Sequence, residues 1–437
     1  MFVRVASESG AQEFSGVGRS HVSHWVGGSK PSGRAPLILR EALSRLLHQT
    51  ITLEVIGLTG PPDAARMVLD WQADTLVALT DLGTTDVDVV RRRLLGAAAY
   101  SVAALTLPTA PWWSQMVGRS GARSTAGARR VGRGDLDAVR DMVAMFSRAD
   151  QRRGGGHARM AVVQYLTLDV VGYLRGNYSD PRVRQKMFSA ASELAYLCGW
   201  MAFDDSEQAI AQHYFSVAVK LAAEGDDPPM AGHVLRAMAH QAVDLGHSRE
   251  ALGLAGASMD GSRYTLASPR ERALLGVVKA RSLAATGEKR AAVSTLICAE
   301  NDLRNATPGD DEPGRVFFFG EASLAHETAC ALRDMGDLAG ALTQFRRSVR
   351  TREITTFTRT HAVTLGYLGA VQAKRGEIEE ACTTWSDALD AMDGIRSGRT
   401  RHAAMEMRSL LAQFRSRNIR GTAEIESRAA KYLSGVA

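Results

Sequence analysis

The sequence is poor in the residues that build metal sites, disulfide frameworks, membrane spans and catalytic centres. Only four cysteines occur in 437 residues, Cys198, Cys298, Cys330 and Cys382. They lie far apart, with no Cys-x-x-Cys and no histidine at ligand spacing, which excludes a zinc module and a disulfide scaffold and fits a reducing cytoplasm. Aromatic residues are only 6% of the chain, but 45% hydrophobic and 23% charged residues exclude wholesale disorder. At roughly 150 residues per domain, the length predicts about three structural units.

Long hydrophobic runs are also missing. The most conspicuous one, Leu94 to Leu107, follows Arg91-Arg92-Arg93 and precedes Pro108. It imitates a twin-arginine export signal, but it lies far inside the chain and its 14 residues fall short of the roughly 20 that span a bilayer. It reads as a small-residue helix packed against the rest of the protein, with no membrane partner.

Catalytic signatures are absent as well. Gly27-Gly28-Ser29-Lys30 lacks the frame of a phosphate-binding loop, the Gly118–Gly127 run follows no strand, and there is no G-x-S-x-G and no H-E-x-x-H. Gly154-Gly155-Gly156-His157 reads as a bend that opens a helix, and Asp310-Asp311-Glu312 as a solvated loop. The expectation is a protein that is not an enzyme and uses no cofactor or metal.

No single sign of charge dominates: 53 Lys and Arg stand against 47 Asp and Glu. The distribution is uneven, however. Residues 161–437 balance thirty-three against thirty-three, residues 61–90 hold one base against six acids, and residues 91–160 hold thirteen bases against four acids. A polyanionic partner therefore belongs with the N-terminal part.

What the sequence has in abundance is internal repetition. The pattern G-x4-A-x3-φ-x2-[AS], with φ usually bulky, recurs at Gly246/Ala251/Ala255/Ser258, Gly287/Ala292/Leu296/Ala299, Gly336/Ala341/Phe345/Ser348 and Gly376/Ala381/Trp385/Ala388. An earlier copy keeps Ala211, Phe215 and Ala218 but replaces the glycine with Asp204-Asp205-Ser206. A second small residue stands twelve positions before each central alanine: Gly199, Ala239, Ala280, Ala329 and Gly369. The central alanines are 40, 41, 49 and 40 residues apart.

Each part has a physical cause. The glycine ends a helix in the left-handed conformation, and the paired small residues let two antiparallel helices approach closely. A single such hairpin cannot bury its apolar face; a stack can. The spacing resembles the tetratricopeptide repeat with longer linkers. The expectation is five helix pairs over Ser189 to about Asp393, a degenerate pair between Leu136 and Gly176, and a capping end at Thr400–Ser416 with Thr422–Leu433.

The first helix of each pair in such repeats lines a concave face. Counting back 18, 15, 11 and 8 positions from the central alanines selects Glu193, Tyr196, Trp200, Phe203, His233, Arg236, His240, Arg281, Ser323, His326 and Cys330. Of these, Tyr196, Trp200, His233, Arg236, His240, Arg281 and His326 are the candidate ligand or partner residues. Arginine offers a two-pronged donor to a peptide carboxylate or another small anion, and the aromatics an apolar wall. Interhelix packing is the alternative role for His240, His326 and Trp200.

Near the N-terminus, Val22, Trp25 and Val26 form an i, i+3, i+4 apolar stripe, while Arg19, Ser20, His21, Ser23 and His24 face elsewhere on the same short helix. Gly27-Gly28 stops it, and Pro31 with Pro36 introduces a second helix at Leu37–Leu47. A short helix with a buried Trp and an outward face of Arg, Ser and His suits the major groove, where short polar side chains reach base edges. Lys30 and Arg34 join these five as candidate contacts to double-stranded DNA.

The stretch GRSHVSHWVGGSKP…LREALSRLL…ITLEVIGL resembles the helix-turn-helix of transcriptional regulators of high-GC filamentous bacteria, related to the phage-repressor-like family. The resemblance continues through RRRLLGAAAYSVAALTLP, MFSRADQRRGGGHARMAVVQYL and ASELAYLCGWMAFDDSEQAIAQHYFSVAVKLA. It implies an all-α protein: a helix-turn-helix domain at 1–60, an acidic then basic linker with a hydrophobic helix at 61–134, and a tetratricopeptide superhelix at 135–437. It also implies sequence-specific DNA binding, homodimerisation or effector sensing by the repeats, and a role in development or secondary metabolism. One departure stands out. A repressor-type domain places two helices before the recognition helix, whereas Phe2–Glu13 has room for part of the second only, so the first helix is expected to be missing and the domain truncated. A repeat adaptor that binds proteins and has lost autonomous DNA binding is the alternative.

Overall fold

The structure is a computed structural model that describes the chain except for residues 9–10, 48–50, 52, 59–68, 89–99, 123–128, 307–311, 415–418, 420 and 436–437. It is all-α. Among the described residues the only strands are Arg130–Val131 and Asn177–Tyr178, which pair in parallel. The chain divides into two compact units. The first contains Met1–Arg140, Met160–Phe203 and Glu207–Val234; the second contains Asp141–Arg159, Asp204–Ser206 and Leu235–Ala437.

The first unit begins with α1 (Phe2–Glu8), a 3-10 turn at Gln12–Phe14, α2 (Arg19–Val26) and α3 (Ala35–Leu47). Two helical pieces thus precede α2, on either side of Ser9-Gly10, where the sequence led us to expect part of one. They persist because they have something to cover: Val5, Ala6 and Ala11 pack with Ile38 and Ala42 of α3, and Phe2 and Phe14 close the cluster. Arg45 clamps the arrangement, donating to Glu41 and to Glu8 at 2.7 Å each and to the Tyr100 carbonyl at 2.9 Å.

Residues 61–134, expected as a linker, contribute packed helices to this unit. Asp74 caps α4 (Thr75–Val87) by accepting from the Leu76 and Val77 amides, and α5 (Ala110–Ala122) follows. Leu76, Leu79, Leu82, Trp112 and Met116 are buried. Both helices pack on the helix Gln208–Glu224. The reason lies in that helix, which is buried on every side from Ala209 to Glu224 and so needs a further layer over it. Gln212 exchanges two hydrogen bonds with the Ser101 backbone, at 2.6 and 2.8 Å, and Tyr214 donates to Asp86 at 3.0 Å. Of the hydrophobic run Leu94–Leu107, residues 94–99 lie outside the described residues; the rest includes buried Tyr100 and Leu105. Among the described residues no helix is long and apolar enough to cross a membrane.

Helices stand at the positions where the pairs were expected. They are α8 (Pro181–Asp204) with α9 (Gln208–Glu224), α10 (Pro228–Asp244) with α11 (Ser248–Ser258), α12 (Pro269–Ala285) with α13 (Lys289–Arg304), α14 (Glu321–Asp334) with α15 (Leu338–Thr351), and α16 (Thr358–Lys374) with α17 (Ile378–Ala391). Upstream lie α6 (Arg133–Arg153) and α7 (Gly155–Tyr165), the degenerate pair, and downstream α18 (Gly398–Ala412) and α19 (Thr422–Gly435), the capping end. Gly246, Gly287, Gly336 and Gly376 all adopt positive φ, between 76° and 87°. In the copy that lacks glycine, Ser206 takes that conformation, with φ 66°. All five central alanines, Ala211, Ala251, Ala292, Ala341 and Ala381, are fully buried. The pattern therefore reports helix hairpins, but the stack does not form one unit: the division falls inside α10, between Val234 and Leu235.

Within the second unit, consecutive elements pack from α11 through α12, α14 and α15 to α16, α18 and α19. One of its hydrophobic clusters holds Trp385, Met392, Met407 and Leu411, with Ile425 and Ala429 of α19. The expected solvated acidic loop is partly structural: residues 310–311 lie outside the described residues, but Glu312 accepts from the Ser268 hydroxyl at the start of α12.

Candidate functional site

Helix α2 is the most exposed described helix of the N-terminal region. Arg19, Ser20, His21, Ser23, His24 and the following Lys30 are all exposed, and no residue of α2 is buried. Gly18 donates its amide to His21 Nδ1 at 3.3 Å, so His21 caps the helix start as well as facing outward. Arg34 is half-buried, with Glu13 3.9 Å away. The tryptophan expected to be buried is only half so. Trp25 stands 5.2 Å from the Phe2 ring, and its stripe partners Val22 and Val26 keep 39% and 85% of their surface exposed. With α1 only seven residues long, there is too little helix to cover the stripe.

The seven candidate ligand residues projected onto a concave face are all buried, and they fall in different units. In the first unit, His233 meets Tyr196 edge-on at 4.5 Å, Tyr196 stacks on Trp200 at 6.2 Å, and Trp200 meets Phe203 at 5.4 Å. This is an aromatic packing cluster. The other four, Arg236, His240, Arg281 and His326, belong to the second unit.

There, Arg281 does not offer the free fork that the sequence led us to expect. Its Nη2 donates to Asp244 at 3.0 Å, and its Nη1 reaches Glu327 at 3.3 Å and His240 Nε2 at 3.2 Å. Burial pushes His240 down to about 4, against the pull of Asp244 and Glu327, so it is neutral at pH 7. Burial also works against ionisation of Asp244 and Glu327, yet both carboxyls are held well below the usual range. His240 and Arg281 outweigh it at Asp244, and Arg281 does so first at Glu327. His326 hydrogen-bonds Thr364 at 2.9 Å and stacks on Tyr367 at 5.7 Å, and burial lowers its pKa too. Burial raises the adjoining Cys330 thiol to about 11, which leaves it unreactive.

The Asp244 and Glu327 side chains are half-buried, with exposures of 29% and 14%. Tyr367 and Arg399 are also half-buried; Arg399 interacts electrostatically with Tyr367, Asp244, Asp204 and Glu327, and Tyr367 with Arg399 and Asp244. None of Asp244, Glu327, Tyr367 and Arg399 was selected from the sequence. A signal existed for two of them: Glu327 and Tyr367 stand fourteen positions before Ala341 and Ala381, one helical turn beyond the eighteenth, on the same face. Arg399 sits on the capping helix, to which the repeat register does not extend.

A second polar cluster in this unit was also missed. Arg359 donates to Asp204 at 2.8 Å and to Asp150 at 3.0 Å, with all three side chains at most 2% exposed. Asp204 also accepts from the Gly155 amide at 2.9 Å. Among the described residues no group of three His, Cys, Asp or Glu is placed to hold a metal.

No curated protein and no solved structure matches the chain. Residues 2–59, the segment that carries α1, α2 and α3, match the family model of the SP15 N-terminal domain.

Proposed function

We propose that this chain is a sequence-specific DNA-binding transcriptional regulator, acting in the cytoplasm, whose tetratricopeptide-like helix pairs dimerise or sense a small effector. The observation that carries the reading is α2: an eight-residue helix whose Arg19, Ser20, His21, Ser23 and His24 are all exposed, followed by exposed Lys30. Short polar and basic side chains on such a helix can reach base edges while the flanking cations hold phosphates.

Gel retardation and salt titration test it. The full chain should retard a selected duplex with a steep salt slope. Arg19→Ala, His21→Ala and Ser23→Ala should each cost about 1–3 kcal/mol on that duplex and relax its sequence preference, whereas Lys30→Ala should weaken all duplexes alike. Unchanged preference in all three α2 variants would remove α2 from the proposed interface.

A second reading has its own observation. Val22 and Val26 leave an apolar edge on α2, which suits a protein partner better than a phosphate backbone. Stoichiometric capture of one protein together with no retardation of any duplex would favour the adaptor reading.

A further inference from the structure

Two basic segments of the first unit, well separated in sequence, are held side by side by its short parallel strand pair. Arg130 stands opposite Asn177 and Val131 opposite Tyr178, and the Asn177 amide donates to the Arg129 carbonyl at 2.9 Å. Gly176 permits the approach, since a Cβ there would stand 2.4 Å from Val131 Cγ2. Val131 is buried and Arg130 exposed. The Arg129 guanidinium lies 4.1 Å from the centre of the Tyr173 ring, and that of Arg184 lies 5.7 Å from Tyr178. Arg175 donates to Thr80 of α4 at 3.3 Å. Residues 129–140 and 171–186, all within this unit, hold eight Lys and Arg against three Asp, a local +5 on a chain whose total is +6.

The nearby acids leave this charge in place. Asp135 stays 3.6 Å from Arg129 and Asp180 4.0 Å from Arg133, exposed contacts of a kind that contributes little in water. Both carboxylates are engaged locally, Asp135 accepting from the Gly132 amide and Asp180 from the Arg182 amide. Arg130, Arg133, Arg175 and Arg182 are all exposed. Arg133 and Arg182 stand in the first turns of α6 and α8, where the helix dipole disfavours a cation and attracts an anion. Neither arginine is placed to stabilise its own helix, and both helix starts favour an external negative charge.

We infer that the strand pair and the two helix starts beside it form a second nucleic-acid contact, a sequence-independent seat for the phosphate backbone of a duplex. Cations spread over two segments match a row of phosphates, whereas a single small anion would touch only one or two of them. A single strand held by stacking needs free aromatic faces, but Tyr173 and Tyr178 each already carry a guanidinium. A membrane surface entered by side chains needs exposed apolar groups; among residues 129–140 and 171–186 no large hydrophobic side chain is exposed. This inference rests on the DNA-binding part of the proposed function but not on α2: α2 chooses the sequence, and this surface holds any duplex.

Salt titration of retardation tests it, with the full chain and a random-sequence duplex as probe. The chain should bind that duplex at low salt. The triple variant Arg130→Ala, Arg133→Ala, Arg182→Ala should flatten the slope of log affinity against log salt by about 2–3, near 0.9 for each lost phosphate contact. Its affinity should fall about 10-fold or more, equally for random and selected duplexes. The control Lys289→Ala, Arg290→Ala, Arg304→Ala removes the same charge from exposed positions of α13 and should leave the slope unchanged. If the triple variant does not fold, Arg130→Gln alone decides, with a slope flatter by about 1. No binding of the random duplex, an unchanged slope, an equal loss in the control, or tighter binding of a single strand or of phosphatidylserine vesicles would each overturn the surface. The two readings fail differently. Retardation of a selected duplex with an unchanged slope in the triple variant keeps the regulator and removes this surface. Flattened slopes here, with sequence preference intact in the α2 variants, remove α2 and keep the surface.

Discussion

Arg359 holds two carboxylates, Asp150 and Asp204, in a site where neither reaches water. Removing the cation as Arg359→Ala leaves both charges buried and uncompensated, which should cost about 3–5 kcal/mol of stability. Urea denaturation measures it, and a loss below about 1 kcal/mol would show that the cluster reorganises. Asp150 adds a pH dependence. Burial pushes its carboxyl from 3.8 up to about 6, with Arg359 only partly countering this and Asp204 adding to it. Because the folded chain then binds a proton that the unfolded chain has released, stability should fall as pH climbs from about 4 to about 6, by roughly 2–3 kcal/mol. The contribution is complete below the unfolded pKa and gone above the folded one. Comparing midpoints of the native chain with Asp150→Asn across that window isolates the term; parallel profiles would show that Asp150 titrates normally. None of this was legible from the residues alone. Asp150, Asp204 and Arg359 are separated by tens to hundreds of positions, and nothing in the local pattern marks any of them as buried.

The helix pair is where the sequence was most informative. Small residues twelve positions before the central alanines mark close approach, and two of them show how close. A Cβ on Gly369 would stand 2.4 Å from Trp385 Nε1, and one on Gly199 would stand 2.7 Å from Phe215 Cδ1. Trp385 is fully buried and donates to the Gly366 carbonyl at 3.1 Å, so it has no room to withdraw. Gly369→Ala should therefore lose about 1–3 kcal/mol through overpacking, despite Ala's better helix propensity. A variant as stable as the parent in chemical denaturation would mean that the two helices slide apart freely. The same logic failed at the N-terminal end. The stripe of Val22, Trp25 and Val26 has helical spacing, but spacing cannot say whether a neighbouring helix is long enough to cover it, and α1 is not. The segment 61–134 was misread for a related reason. Its helices have weak signals of their own and are demanded by α9, whose wholly buried sequence states that a second layer exists without saying which residues supply it.

At the scale of the molecule, the charge balance and the division into units matter most. The basic excess lies in residues 91–160, a stretch that spans part of both units rather than one connector. The second unit depends on its far end: Met407 and Leu411 of α18 and Ile425 and Ala429 of α19 complete the cluster around Trp385. A chain ending at Arg396 should expose that apolar face, lower the thermal midpoint of the second unit by several degrees and bind an apolar dye, as an uncapped helical repeat does. An unchanged midpoint would show that α18 and α19 are dispensable.

By itself the sequence determined the helical class, the hairpin period and the left-handed turns, because each depends on residues a few positions apart whose sterics act locally. The pairing of α4 and α5 with α9, the division inside α10, and the two charged clusters were decided only by tertiary structure. They depend on which distant side chains share a desolvated space, as Arg281 does with Asp244 and Glu327.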